Sequence, residues 1–95
     1  MEPALAHALE VLKSEGIQAL GTTSHTFDTG GFTLLIGLAE SHISVHTWPE
    51  LGKLQMDVFL CNYFRENEDR CRRIFDAIVA YFDPTDLDRT EVWRT

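Results

Sequence analysis

Apolar residues recur at helical intervals near both ends of the chain, while the middle alternates or runs apolar in the manner of strands. Leu5, Ala8, Leu9 and Leu12 predict a helix over residues 3–14, with Pro3 in its first turn, Lys13 near its carbonyl end and Gly16 as its stop. His7 falls off that stripe and reads as a solvated helix histidine. Residues 17–27, rich in Thr, Ser and alternating apolar positions, predict a strand. Asp28-Thr29-Gly30-Gly31 signals a turn, and the apolar run over 32–39 predicts a buried strand, the pair forming an antiparallel hairpin. After a break at Glu40-Ser41, a third strand is expected over 42–47. Trp48-Pro49-Glu50 leaves it, and Leu51-Gly52-Lys53 supplies a turn. Leu54, Met56, Val58 and Leu60 then alternate with Gln55, Asp57, Phe59 and Cys61, a fourth strand with Cys61 on its less apolar face. From 66 to 82 the period returns to helical: Cys71, Ile74, Phe75, Ile78, Val79 and Phe82 make one stripe, and Arg70, Arg72, Arg73 and Asp76 lie largely outside it. Asp83-Pro84 ends this helix, and the remainder through Val92 and Trp93 is compatible with a short edge strand. Helix, four strands, helix predicts an α+β two-layer sandwich: an antiparallel sheet of about four strands with two helices on one face.

One stretch carries more chemistry than a buried strand needs. Glu40-Ser41-His42-Ile43-Ser44-Val45-His46-Thr47-Trp48-Pro49-Glu50 combines hydroxyls, imidazoles and carboxylates. A period of two puts His42, Ser44 and His46 on one face, and Ile43, Val45 and Thr47 on the other. A histidine near a hydroxyl can act as a base, and a cysteine near a histidine can donate or accept a proton. A conventional Ser–His hydrolase is a distant alternative, with no acidic orienter at a telling position and no nucleophile-elbow glycines. Taken singly, these residues have plainer readings. Ser41 is then a turn serine, His46 a hydrogen-bonded sheet histidine, Cys61 a small buried hydrophobe. Glu50 is a loop carboxylate and Phe27 a core aromatic. Cys71 belongs to the helix core stripe, and Trp48 and Trp93 to packing or an interface.

Composition narrows the function classes. The chain has 95 residues, which bounds it to one small domain over 1–95, and a formal net charge of -7 that argues against nucleic acid as a partner. Neither a signal peptide nor a membrane-length apolar run is evident, so a cytoplasmic, reducing setting is expected. Cys61 and Cys71 do not make zinc spacing with the histidines, so no metal is expected. A small core and a sheet face lined with polar groups point to a homodimer.

The same stretch resembles the prokaryotic S-adenosylmethionine decarboxylase family. The likeness rests on Glu40-Ser41-His42-x-x-x-His46-Thr47-x-Pro49-Glu50, followed by Asp57-Val58-Phe59-x-Cys61, with His25-Thr26-Phe27 and the Gly-rich turn ahead of them. It runs clearly over residues 17–61 and more loosely through both helices. The resemblance implies a pyruvoyl enzyme that makes its own cofactor by cutting its backbone between Glu40 and Ser41. The Ser41 hydroxyl would attack the Glu40 carbonyl to give an ester, and His46 would take the Ser41 Cα proton to eliminate it. Hydrolysis would leave a pyruvoyl group on a chain of residues 41–95, with 1–40 still associated. A Schiff base to the substrate amine then provides the electron sink for decarboxylation. By the same resemblance Cys61 would return a proton to the substrate carbon, Glu50 would take the ribose hydroxyls, and Phe27 would stack on the adenine. The implied substrate is S-adenosylmethionine, and the implied product feeds polyamine synthesis.

Two departures from the family stand out. Thr33 occupies the position of a serine that assists processing, keeping the hydroxyl and adding a methyl. The resemblance also implies a strand ahead of the first helix, which nothing before Pro3 matches. They motivate two alternatives: a decarboxylase of a basic amino acid such as ornithine or arginine, and an unprocessed, silent paralogue that binds a partner or ligand.

Overall fold

The computed structural model describes residues 1–60 and 68–91. The order is α1 (Glu2–Ser14), β1 (Gly21–Thr26), β2 (Phe32–Gly37), β3 (His42–Trp48), a single 3-10 turn (Pro49–Leu51), β4 (Lys53–Phe59) and α2 (Glu68–Phe82). The four strands form one antiparallel meander in the order β1-β2-β3-β4. The expected α+β sandwich is therefore the observed fold.

Strand alternation decides where the core lies. Phe32, Leu34 and Ile36 of β2, Ile43 and Val45 of β3, and Val58 of β4 are buried on one face of the sheet. They pack with Ala4, Ala8 and Leu12 of α1 and Ile74 and Ile78 of α2. The helices also hold each other: Arg73 donates twice to the Glu15 carboxylate, and Arg70 Nη2 donates to the Glu15 carbonyl at 2.9 Å. His7, expected in solvent, is half-buried between the helices, with Nε2 3.0 Å from the Ala77 carbonyl and its ring stacked on Tyr81.

Three further expectations change. The first strand begins at Gly21 and not at residue 17, because Ile17 closes the helix instead. Its N–H donates to the Leu12 carbonyl at 2.9 Å and that of Gly16 to Lys13 at 3.0 Å, with Gly16 at φ +72°, a paired cap that needs a left-handed residue. The run over 32–39 is buried on one side only: β2 stops at Gly37, and Leu35 keeps 42% of its surface on the other side. The segment 83–91 forms no strand. It runs back along α2, with Arg89 over the Phe75 ring and paired to Asp76, and Glu91 paired to Arg72. Val92 and Trp93 lie outside the described residues.

Candidate active site

The sheet face away from the helices gathers the polar chemistry, and strand register arranges it in rows. Gly21, Gly37, His42 and Phe59 stand side by side, followed by Thr23, Leu35, Ser44 and Asp57, and then His25, Thr33, His46 and Gln55. Trp48 and Lys53 pair beyond them, the Lys53 ammonium 5.7 Å from the centre of the Trp48 ring.

Glu40 and Ser41 sit where β2 turns into β3. The Leu38 N–H donates to the Ser41 carbonyl at 3.0 Å, closing a tight loop over residues 38–41. Leu38 is buried and anchors the loop, Ala39 and Glu40 are exposed at its tip, and Ser41 is half-buried. The backbone joining Glu40 to Ser41 thus lies at an accessible tip, with both flanks fixed in the sheet. Beside it, His42 Nε2 is 3.0 Å from Asp57 Oδ2.

His46 stands at the other end of the same strand. Its Nδ1 lies 3.1 Å from the Thr33 hydroxyl, its direct neighbour across the β2–β3 ladder. Five residues of extended chain separate it from Ser41, a span of about 16 Å at the usual rise per residue. Phe27 and Glu50 belong to the His46 end. Gly31 makes that closure possible, since a Cβ there would meet the Thr47 carbonyl at 2.6 Å and Pro49 Cδ at 3.0 Å. The Gly-rich turn therefore seats directly against the segment carrying Glu50, while the Phe27 N–H donates to the Gly31 carbonyl at 2.8 Å. Phe27 is 49% exposed and packs edge-on against the His25 ring. Cys61 lies outside the described residues.

One chain thus brings Thr33 to His46, and Phe27 and Glu50 to the same end, but does not bring His46 to Ser41. Sequence reasoning passed over Asp57 as the partner of His42. The signal was present, because alternation puts both on the polar face and the hairpin turn at Gly52 sets them on neighbouring strands. On the helix side of the molecule, hydrogen bonding from Arg73 holds the Glu15 carboxyl below its usual range, and Arg72 does the same to Glu91.

The sequence profile described as S-adenosylmethionine decarboxylase matches residues 2–95. The chain belongs to the S-adenosylmethionine decarboxylase family. Relatives named S-adenosylmethionine decarboxylase proenzyme include one from Synechococcus sp. (strain WH7803), 43% identical over 68 residues, covering 72% of this chain and 53% of its own. Another, from Methanococcus aeolicus, is 40% identical over 81 residues, covering 84% of this chain and 69% of its own. A third, from Methanococcus maripaludis (strain C7), is 45% identical over 91 residues and covers 90% and 71%. The chain therefore spans between about half and seven-tenths of the length of these relatives. The crystal structure of the adenosylmethionine decarboxylase from Aquifex aeolicus superposes with a TM-score of 0.74 at 29% identity, over 88% of this chain and 67% of that one. These family relatives carry the S-adenosylmethionine name and do not favour the ornithine, arginine or silent-paralogue readings. Among the described residues, no helix is long and apolar enough to cross a membrane.

Proposed function

We propose that the chain is a proenzyme that cuts itself between Glu40 and Ser41 and then decarboxylates S-adenosylmethionine, feeding polyamine synthesis in the cytoplasm. The observation that carries this reading is the placement of the Glu40–Ser41 peptide at the exposed tip of a tight hairpin, within a chain of this family. Residue 41 fits as the origin of a pyruvoyl group: it is a serine, and the tip of the loop can part while Leu38 stays in the core and β3 stays paired on both sides. A pyruvoyl carbonyl there supplies the electron sink that decarboxylation of an amine substrate requires.

The β2–β3 ladder explains why both pieces stay together. It joins residues 1–40 to residues 41–95, and buried side chains from both pieces share one core. The Thr33 hydroxyl orients the His46 imidazole, which takes the Ser41 Cα proton. Because β3 holds His46 about 16 Å from Ser41, the His46 that serves a given Ser41 belongs to a second copy of the chain. We therefore propose a homodimer in which the open faces meet about a twofold axis, the Ser41 end of one on the His46 end of the other. Phe27 and Glu50 then reach the substrate adenine and ribose from across the interface, and Cys61 returns the proton to the substrate carbon.

The test is a denaturing intact-mass spectrum beside a Ser41→Ala control, followed by carbon dioxide release from labelled S-adenosylmethionine. Two fragments breaking between residues 40 and 41, absent in the control, are expected. An unbroken wild-type chain, or label released from ornithine or arginine alone, refutes the reading.

A further inference from the structure

The open face carries three histidines, and the reading above uses only His46. His42 is one peptide unit from Ser41, with consecutive Cα atoms about 3.8 Å apart. Register sets His42 between Gly37 on β2 and Phe59 on β4, with Asp57 on the diagonal. Gly37 puts no side chain beside the imidazole, while the Phe59 ring lies 5.7 Å away at 50° and Asp57 Oδ2 holds Nε2 at 3.0 Å. The ring is thus braced on its β4 flank and open on its β2 flank. With an Asp57 oxygen as acceptor, Nε2 is the donating nitrogen, and in the neutral imidazole the lone pair then falls on Nδ1, the ring nitrogen nearer the main chain.

Resting on the self-cleavage reading, we infer that His42, held by Asp57, moves the proton in the first step of that cleavage. Nδ1 takes the Ser41 hydroxyl proton as Oγ bonds to the Glu40 carbonyl carbon. The same proton passes to the Ser41 nitrogen as the carbon–nitrogen bond breaks. The product is an ester isomeric with the peptide, so the step needs no co-reactant. Asp57 touches none of the reacting atoms and is a positioning residue that fixes the imidazole tautomer. His46 is left for the later removal of the Cα proton, so two histidines serve two successive steps.

The experiment follows freshly refolded wild type, His42→Ala, His46→Ala and Asp57→Asn by intact mass, with and without hydroxylamine, which cuts esters and spares ordinary peptides. His46→Ala is expected to accumulate a hydroxylamine-labile chain. His42→Ala is expected to stay whole and hydroxylamine-resistant, slowed by about a hundredfold, the usual scale of acid–base assistance. Added imidazole then restores its cleavage, and Asp57→Asn cuts at an intermediate rate. Circular dichroism matching wild type shows that each variant has folded, which the half-exposed positions of His42 and Asp57 favour. Three results overturn the inference: His42→Ala cutting as fast as wild type, a labile ester building up in that variant, or slow cleavage that imidazole does not restore. Asp57→Asn cutting at the wild-type rate removes the positioning role. A wild-type chain that never cuts refutes the self-cleavage reading itself and this inference with it, so the two failures are distinct.

Discussion

The two ends of the open sheet face share strands and solvent access but gather different side chains. At one end stand the Glu40–Ser41 loop and the His42–Asp57 pair. At the other stand the Thr33–His46 pair, the exposed Phe27 and the Gly31 turn seated on the Pro49–Leu51 segment. A regular β3 keeps them apart by about 16 Å, and no side-chain rotation closes that span. Proximity in sequence has to be converted through the local period. Five residues are a little over one turn of a helix, yet they are the length of a strand here. In the proposed homodimer, two copies bring these ends together.

Pairing the two ends between copies predicts an all-or-none outcome. Expressed alone, Ser41→Ala and His46→Ala each yield uncut chain. Co-expressed with distinguishable tags, they form mixed dimers in which the His46→Ala chain still owns Ser41 and faces an intact His46. That chain, and only that chain, is expected to be cut, as read by tag-resolved mass spectra. Cutting of neither places the histidine within the same chain and sinks the twofold arrangement. So does sedimentation showing only monomer at micromolar concentration.

Much of the fold was legible because periodicity reports burial directly. The stripe of α2 and the two faces of β3 follow from spacing alone. What escaped depended on partners far along the chain. Residues 17–20 look strand-like, yet the Ile17 N–H is engaged by the Leu12 carbonyl. The apolar run of β2 cannot say whether a second layer covers it, and Leu35 remains exposed. His7 looks solvated until Ala77 and Tyr81 are brought beside it from α2. At the site, the residue types were legible and their grouping was not. The His42–Asp57 pair is a cross-strand diagonal, legible only when the alternation and the Gly52 turn are read together.

A smaller effect separates the two ends. Gly31→Ala places a methyl 2.6 Å from the Thr47 carbonyl oxygen, a contact that backbone on both sides must relieve by moving. Overpacking of this kind costs about 1–3 kcal/mol. The displacement falls on the turn that carries Phe27 towards Glu50, while the Ser41 loop lies at the far end of β2 and β3. Weaker substrate binding with cleavage within the same chain's loop intact in mixed dimers is expected, measured as a raised KM beside near-normal fragment yield. Equal damage at both ends shows that the sheet transmits strain along its length and that the ends are not independent.

The smallest effect lies behind the sheet, where Arg73 of α2 forks onto Glu15 just beyond α1. In the proposed cleavage that pair would tie residues 1–40 to residues 41–95, since residue 15 precedes the cut and residue 73 follows it. Hydrogen bonding from Arg73 lowers the Glu15 pKa from its ordinary 4.5. A carboxyl whose folded pKa is depressed contributes stability above its unfolded pKa and loses it as pH falls through the folded value. Arg73→Gln is therefore expected to lower the melting temperature slightly at neutral pH, and the gap to wild type should close in acid. Added salt should narrow it too, as for any exposed pair. Neither cleavage nor complementation between copies should change, because the pair touches only the helix layer. A gap that persists at low pH instead assigns the loss to the Arg73 stem packing against its neighbours, independent of the Glu15 charge.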